Sequence, residues 1–291
     1  MPKLKMQPPK RDIIGYFEGT SQKIFTRSDI DNIFSENREF WRISVSTSVH
    51  QFIEFLLAGT KLQKIRLEFP SRNLIRYSWG EPPVWELAST LSPNSYFSHY
   101  AAVYLHDLTE QVPNVIYVNS EQPRKYPDPD SLAQQGIDGA FKRPVRVSKN
   151  TASFQNWKIC LLNGMYTGKL GVVGMMIDSE SNEMPVTNIE RTLIDITVRP
   201  VYSGGIFEVL KAFERAKGTV SVNRMAAMLK KMNFVYPYHQ AIGFYLERAG
   251  YKETVIKLFR KFDMKFDFYL AHNMKEKSYS KRWRLYFPKG L

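Results

Sequence analysis

The sequence predicts an α+β protein, and three observations lead to that prediction. Helical and strand patterns are interspersed along the 291 residues without a tandem repeat at a fixed period. Stretches in which apolar and polar residues alternate, as they do in half-buried strands, occur early and again near the end of the chain. Hydrophobic residues make up 43% of the chain and aromatic residues 14%, which is enough to build packed cores.

The first 80 residues contain three short helical patterns. Apolar residues spaced for one helix face predict a helix over residues 12–18 and a second over residues 29–35. Ser48 and Gln51 have the spacing of a capping box, in which each side chain bonds to the other residue's backbone N–H. We therefore expect a third helix from Ser48 to Ala58.

A hairpin follows the third helix. Residues 63–69 and 74–79 alternate apolar and polar side chains, and residues 70–73 form the predicted turn with Arg72 in it. Helices followed by a basic hairpin are typical of a winged helix-turn-helix, which usually places one helix in the DNA major groove. The Gly-Glu-Pro-Pro break at residues 80–83 predicts a boundary between a winged-helix domain (residues 1–80) and a larger mixed α/β domain (residues 81–291).

The predicted DNA contacts come from the third helix and the hairpin. Exposed polar residues near the start of a recognition helix reach base edges, and a glutamine can pair with adenine through two hydrogen bonds. Basic side chains would hold phosphates, and an arginine at the hairpin tip would enter a narrow minor groove. The predicted DNA-binding residues are Thr47, Ser48, His50, Gln51, Lys64, Arg66, Arg72 and Arg76. The alternative is a winged helix used only for protein docking, which Glu54 on the outer face of the helix favours.

The second domain is predicted to mix helices and strands. The predicted helices cover residues 85–91, 96–105, 187–198, 205–216, 221–232, 239–249 and 253–262. The predicted strands cover residues 115–118, 143–147, 158–162, 170–177, 266–271 and 282–287, and residues 121–138 are the predicted loop. Thr187 and Glu190 have capping-box spacing, and Arg191 lies four residues before Asp195, where the two can pair on a helix.

The charge distribution suggests a polyanionic partner. The formal net charge is +13, with +6 in residues 140–170 and +7 in residues 252–291. Uneven basic blocks of this kind are typical of proteins that bind nucleic acid, although they also serve solubility. Residues 275–289 interleave lysines and arginines with aromatic residues, a pattern found in single-strand binders and equally in edge strands with a solvated basic face.

The remaining composition argues for a cytoplasmic protein without a membrane partner. Cys160 is the single cysteine, so no internal disulfide is possible. The longest apolar run, residues 170–177, is far shorter than the roughly 20 residues of a membrane-spanning helix. Residues 1–9 lack the apolar core of a secretory signal.

Two local patterns approach known catalytic sites without completing them. Residues 164–170 resemble a phosphate-binding loop, but one spacing is a residue short and Leu170 replaces the magnesium-binding hydroxyl. Asp263, Lys265 and Asp267 resemble the acidic and lysine set of metal-dependent nucleases, which also requires another acidic residue on a neighbouring strand. We therefore assign no catalytic residue, metal or cofactor.

Several segments resemble the AbiEi family, the antitoxins of type IV toxin–antitoxin systems. After Glu86-Leu87-Ala88, the similar stretches are residues 98–108 (SHYAAVYLHDL), residues 114–118 (NVIYV) and residues 187–195 (TNIERTLID), with Gly204-Gly205 downstream. The resemblance covers about residues 85–250, and the predicted winged helix is similar to the family's usual N-terminal domain. Asp107 departs from the pattern, since glycine is common there.

The resemblance implies a function for the whole chain. It implies an antitoxin that binds operator DNA through its winged helix and represses its own operon. The second domain would counter an AbiEii-like nucleotidyltransferase toxin, with direct binding of the toxin left open. The alternative is an enzyme that processes nucleic acid or modifies the toxin and is targeted by a winged helix, with Asp263, Lys265 and Asp267 as its first candidates.

Overall fold

The computed structural model describes residues 10–125, 132–177 and 183–291, and its fold is α+β as predicted. The helices are α1 (Lys10–Gly19), α2 (Arg27–Asn37), α3 (Val49–Gly59), α4 (Val84–Ser89), α5 (His99–Leu105), α6 (Gln134–Lys142), α7 (Ile189–Val198), α8 (Ile206–Arg215), α9 (Val222–Met232), α10 (Tyr238–Arg248) and α11 (Glu253–Arg260). The strands are β1 (Ile24–Phe25), β2 (Leu62–Phe69), β3 (Arg72–Trp79), β4 (Tyr96–Phe97), β5 (Val115–Glu121), β6 (Thr151–Phe154), β7 (Trp157–Gly164), β8 (Val172–Met175), β9 (Met184–Thr187), β10 (Phe268–Tyr269), β11 (Lys277–Ser280) and β12 (Leu285–Pro288).

Residues 10–80, called here the N-terminal head, contain three helices and a small antiparallel sheet of order β1-β3-β2. The three predicted helices and both hairpin strands are present. The turn is shorter than predicted, because Phe69 pairs directly with Arg72. Aromatic residues fill the core of the head, where the rings of Phe17 and Trp79 stack at 4.8 Å between centroids.

A six-stranded mixed sheet of order β6-β7-β5-β4-β9-β8 forms the middle of the molecule. Strand β5 is parallel to β7, and β4 is parallel to β9, whereas the other neighbours are antiparallel. One face of this sheet carries Ile116, Ile159 and Val186, all of which are completely buried. These side chains form one core with the adjacent face of the head.

The head is packed against the second region through one face of its hairpin. Ile65, Leu67 and Phe69 alternate along β2 and belong to the same core as the six-stranded sheet. The Glu86 carboxylate of α4 also accepts hydrogen bonds from the backbone N–H groups of Lys23 (2.7 Å) and Ile24 (3.0 Å). Buried apolar side chains and satisfied backbone donors therefore hold the head in place.

The C-terminal half is a helical layer that packs on a second three-stranded sheet, of order β10-β12-β11. Buried side chains of α7 to α11 form one core with Trp283 and Leu285, which are both fully buried. Gly243 of α10 lies against Trp283, and a Cβ at that position would come within 2.1 Å of the indole ring. The close packing of α10 on the sheet therefore requires a glycine there.

Several predictions for the second region are wrong in detail. Residues 96–105 are not one helix, because Tyr96 and Phe97 pair with β5 and β9 before α5 begins. Residues 143–147 form no strand, and α6 begins within the predicted loop 121–138, of which residues 126–131 lie outside the described part. Strands β6, β9 and β11, each four residues long, were not predicted.

In the described residues, no helix is long and apolar enough to cross a membrane.

Candidate nucleic-acid interface

The start of α3 is exposed and capped as the sequence predicts. Ser48 is the N-cap residue; its hydroxyl oxygen accepts from the backbone N–H of Gln51 at 3.3 Å, and Gln51 Oε1 accepts from the backbone N–H of Ser48 at 2.8 Å. Ser48, His50 and Gln51 are exposed and Thr47 is half-buried. These four predicted contact residues therefore lie together at the N-terminal end of α3, where the helix dipole also favours an anion.

The capping box limits what Gln51 can recognise. Bidentate recognition of adenine uses the side-chain carbonyl as an acceptor and the amide as a donor. Because Gln51 Oε1 already accepts hydrogen bonds from the backbone and the hydroxyl of Ser48, only the Nε2 donor is left for a partner. In this arrangement Gln51 offers only the N–H donors of Nε2 and no acceptor, so it would not distinguish adenine through two bonds.

Arg38 shapes the turn before α3, a role that sequence reasoning missed. Its Nη2 atom donates to the backbone carbonyls of Ser44 (2.6 Å) and Thr47 (2.9 Å). Its guanidinium also lies 5.1 Å from the centroid of the Phe34 ring. Arg38 therefore binds the turn to α2, and no local pattern signals this because the carbonyls lie six to nine residues away.

Lys64 and Arg66 lie on the helix-facing side of the hairpin. Side chains alternate along a strand, so they share a face with Leu62, which packs into the core of the head. Both are exposed, and Arg66 Nε lies 3.2 Å from Glu68 Oε1 in an exposed ion pair. Such a pair contributes little, so Arg66 can exchange Glu68 for a phosphate at small cost.

Arg72 is placed at the closed end of the hairpin, opposite Phe69. Its side chain therefore starts from the other face of the hairpin than those of Lys64 and Arg66. It is exposed, and within the described residues it makes no hydrogen bond or ion pair. The exposed cations of the hairpin thus lie on both of its faces, Lys64 and Arg66 on one and Arg72 on the other.

Arg76, unlike Arg72, makes hydrogen bonds within the chain. Its Nε donates to Thr90 Oγ1 at 3.0 Å, and its Nη2 donates to the backbone carbonyl of the same residue. Burial lowers the pKa of Arg76, and nearby Asp29 opposes that effect. Its donors hold the head against the second region, so the predicted phosphate contact is not available in this arrangement.

Helix α7, which contains most of the TNIERTLID segment of the sequence, is buried and carries an internal ion pair. Arg191 Nε donates to Asp195 Oδ1 at 2.8 Å, as the four-residue spacing predicts. Arg191 Nη1 donates to Thr167 Oγ1 (2.9 Å) and to the backbone carbonyl of Leu170 (2.7 Å). Nη2 donates to the hydroxyl of Tyr96 at 3.2 Å. Arg191 therefore connects α7 to the loop of residues 164–170 and to β4.

The predicted capping box of α7 is wrong. The N-cap is Asn188, whose Oδ1 accepts from the backbone N–H of Arg191 at 2.9 Å. Glu190 instead accepts from the backbone N–H of Ser221 at 2.9 Å, at the start of α9. Glu190 is 2% exposed, so tertiary packing has taken this carboxylate away from its own helix end.

The loop of residues 164–170 binds a carboxylate of its own chain. Glu121 accepts from the backbone N–H groups of Thr167 (3.0 Å) and Lys169 (3.1 Å) and from the hydroxyl of Tyr96 (3.1 Å). The Thr167 hydroxyl makes a further short bond to the same carboxylate. The backbone donors that a phosphate-binding loop would direct at its ligand are occupied here by Glu121.

The candidate residues of the enzymatic alternative have partners of their own. Asp267 Oδ1 accepts from Arg284 Nε at 2.9 Å and from the Tyr279 hydroxyl at 2.7 Å. Lys265 Nζ lies 3.4 Å from Asp263 Oδ2, with both side chains exposed. In residues 10–125, 132–177 and 183–291, no three His, Cys, Asp or Glu side chains are grouped to hold a metal ion.

The basic and aromatic run at the C-terminus forms part of the last sheet. Strand β11 is the edge strand, and Trp283 is fully buried. Lys277 Nζ lies 4.6 Å from the centroid of the Tyr286 ring, so this face of the ring is already covered by a cation. The arrangement favours the edge-strand interpretation of residues 275–289.

Comparisons with known proteins identify a similar fold but no family. No protein-family model matches the chain, and no curated protein matches it. Among solved structures, the chain is similar to that of the Rv2827c protein from Mycobacterium tuberculosis, with a TM-score of 0.58 and 13% sequence identity. The similarity covers 94% of this chain and 89% of that one. At this identity it shows a shared fold that extends over both the head and the second region.

Proposed function

We propose that the head is a winged helix that binds duplex DNA. The observation that carries the proposal is the exposed start of α3 on the same small body as the free cations of the hairpin. The order α1-β1-α2-α3-β2-β3, with β1 completing the sheet, matches the element order of that module.

Packing of the hairpin on α2 and α3 also supports the proposal. Burial raises the pKa of Tyr77 on β3. Arg27 of α2 lowers this pKa and Glu54 of α3 raises it, which shows that both helices are close to the Tyr77 hydroxyl. Tyr77 pairs with Lys64, whose exposed side chain lies on the same face. Lys64 and Arg66 are therefore on the face of the hairpin that packs beside α2 and α3, whereas Arg72 starts from the other face at the hairpin tip.

We assign different roles to the contact residues. Ser48, His50 and the Nε2 group of Gln51 face base edges from the exposed start of α3. Lys64 and Arg66 neutralise phosphates beside the helix, and Arg72 reaches the neighbouring minor groove from the hairpin tip. Arg76 has no part in this assignment because its donors are bound to Thr90.

We further propose that the chain is a type IV antitoxin of the AbiEi kind and represses its own operon. The support is the resemblance of residues 85–250 to that family, together with a head suited to operator DNA. In this proposal the second region opposes a nucleotidyltransferase toxin encoded next to the chain. The buried Arg191–Asp195 pair has a structural role in it, because it positions α7 against the loop of residues 164–170.

A salt series tests the DNA-binding proposal. The fragment is the duplex upstream of the coding region, and the double variant Lys64→Gln with Arg72→Gln removes two exposed cations of the hairpin. The matched control is Lys252→Gln with Lys257→Gln, which removes two exposed cations of the second region. We expect the hairpin variant to bind more weakly and to lower the slope of log K against log salt by about 2, since each phosphate contributes about 0.9.

The control variant should retain the wild-type slope. Equal slopes in the wild type and the hairpin variant would contradict the proposed surface, as would equal losses in the two variants.

Co-expression tests the antitoxin proposal separately. Expression of the adjacent nucleotidyltransferase gene is expected to stop growth, and expression of the chain to restore it. The hairpin variant should lose repression of a reporter fused to the upstream region while it still restores growth. Failure of the wild-type chain to restore growth would remove the antitoxin proposal and leave the DNA-binding one intact.

A further inference from the structure

A cavity of about 160 Å³ lies where the end of α9, the start of α10 and the end of α11 meet. It belongs to the helical layer and uses none of the proposed DNA contacts. Pockets for drug-sized ligands measure about 300–1,000 Å³, so this cavity suits a single flat ring system.

Aromatic side chains form most of its wall. Phe234 and Tyr238 meet edge to face at 5.2 Å between ring centroids, and His239 stacks on Phe262 at 5.2 Å. Tyr236 adds a further ring beside Tyr238. Such a wall binds planar ligands through stacking and edge contacts, which are specific in geometry and tolerant of the ring's identity.

One buried polar group in this wall lacks a partner. His239 is 9% exposed, and its Nε2 atom makes no hydrogen bond to any described residue. Burial lowers the pKa of His239 to about 4, against weaker opposing effects of the backbone and of the carboxylate of Asp263. Because this nitrogen is itself buried, a ligand in the cavity meets the rest of the neutral His239 ring and not Nε2.

The rim of the cavity favours a negative charge. Lys230 lines it from the last turn of α9 and is exposed. The N-terminus of α10, an 11-residue helix, begins at the cavity after Pro237, and no side chain caps it. The backbone N–H groups of Tyr238 and Gln240 in this first turn donate to the carbonyls of Tyr236 and Pro237, so Lys230 and the dipole of α10 are what favour a phosphate here.

We propose that this cavity binds a nucleotide, with the base inside the aromatic wall and the phosphate at Lys230 and the start of α10. The base packs against the His239 ring, and Asn233 at the rim provides an amide that can hydrogen-bond to it. The nucleotide is either free or one unpaired residue of a single strand. A base paired within a duplex is stacked on its neighbours and does not fit a cavity of this size.

Calorimetric titration of the full chain tests the proposal with four mononucleotides, an eight-residue single-stranded RNA and a duplex of the same sequence. We expect saturable 1:1 binding of at least one mononucleotide or of the single strand, and no cavity-dependent binding of the duplex. Phe234→Leu, which retains apolar volume without a ring, should weaken binding about tenfold, since stacking on one aromatic contributes about 1–3 kcal/mol.

Lys230→Gln and Lys231→Gln provide the matched comparison, because both lysines are exposed in the last turn of α9 and only Lys230 lines the cavity. Lys230→Gln should weaken binding about fivefold and Lys231→Gln should leave it unchanged. Circular dichroism verifies that each variant is folded.

Absence of saturable binding by every mononucleotide and by the single strand would overturn the proposal, as would equal affinities of Phe234→Leu, Lys230→Gln and the wild type. The operator affinity of these variants should match the wild type, which separates this proposal from that of the head.

Discussion

Arg191 and Arg72 carry the same guanidinium in opposite surroundings. Arg191 is 3% exposed and donates to four partners of its own chain, Asp195, Thr167, Leu170 and Tyr96. Arg72 is exposed at the tip of the hairpin and has no partner within the described residues. The first cation holds the second region together, whereas the second is free for an external anion.

The difference shows that net charge alone does not identify a binding surface. A cation whose donors are satisfied internally would lose those bonds on binding a phosphate, whereas a solvated one gives up only water and counterions. Arg76 belongs with Arg191 by this criterion although it stands on the hairpin, because Thr90 already occupies its donors. Lys64 belongs with Arg72.

The largest expected effect is at Arg191. Arg191→Met keeps much of the side-chain volume but leaves Asp195 charged and buried without its partner. Loss of one partner of a buried ion pair costs about 3–5 kcal/mol. Urea denaturation should show a decrease of that size, whereas Arg72→Met should change the free energy of unfolding by less than about 0.5 kcal/mol. Similar losses in the two variants would contradict the contrast.

The second expected effect is an acid sensitivity of the second region. Burial, opposed by the smaller effect of Asp195, lowers the pKa of His99 to about 4, whereas a histidine in the unfolded chain titrates near 6.5. The unfolded state therefore binds the proton first, and stability decreases as the pH falls from about 6.5 towards 4. Between pH 7 and pH 5 the loss from His99 alone should be about 2 kcal/mol.

His99→Asn tests that sensitivity, because residue 99 has a φ of 53°, a conformation that asparagine adopts readily. Unfolding of the variant measured at pH 7 and pH 5 should show a smaller acid loss than the wild type by about 2 kcal/mol, while His239 still contributes its own share. His50 is exposed on the head, so His50→Asn is the matched control and should leave the acid loss unchanged.

A smaller effect is expected at the contact between the head and the second region. Arg76→Met removes the hydrogen bonds to Thr90 and should lower the free energy of unfolding by about 1–2 kcal/mol. The salt slope of DNA binding should remain that of the wild type. A reduced slope would show that Arg76 contacts a phosphate after all and would weaken the distinction between engaged and free cations.

The smallest effect on stability is expected at Gln51. Gln51→Glu retains the acceptor oxygen of the capping box and places a negative charge at a helix N-terminus, so stability should change by less than about 0.5 kcal/mol. The same charge repels phosphates, and DNA affinity should fall about tenfold in gel shifts. Asn223→Asp adds one negative charge on an exposed position of α9 and should leave the affinity unchanged.

The sequence predicts the elements whose signals are local. The capping serine and glutamine of α3 place the start of that helix correctly, since the bonds involved span three residues. The same reasoning fails at Thr187 and Glu190, because Asn188 lies nearer the helix and Ser221 recruits the carboxylate from 31 residues away. The short strands β6 and β9 escape prediction because their pairing partners, and not their own sequence, define them.

The residues of the candidate sites show the same difference between local signals and partners that are distant in the chain. Exposure of the α3 start and of Lys64 could be predicted from helical and strand periodicity. The engagement of Arg76 by Thr90 and the bonding of Glu121 to the loop of residues 164–170 could not, because the partners are 14 and 46 residues apart in the chain. Sequence patterns thus predicted which residues of the head are exposed, but they did not predict which of its cations lack a partner within the chain.

Directed cleavage of operator DNA shows whether the hairpin of the head lies against the duplex. The natural Cys160 is 2% exposed and burial raises the pKa of its thiol, so a cysteine placed on the surface is modified selectively. An iron chelate that generates hydroxyl radicals is attached at Ser71→Cys in the exposed hairpin turn, or at Asn223→Cys on α9 as the control. We expect strand breaks clustered at the operator from the Ser71→Cys conjugate and none above background from the control. Clustered breaks from the α9 conjugate, with none from the hairpin, would contradict this expectation.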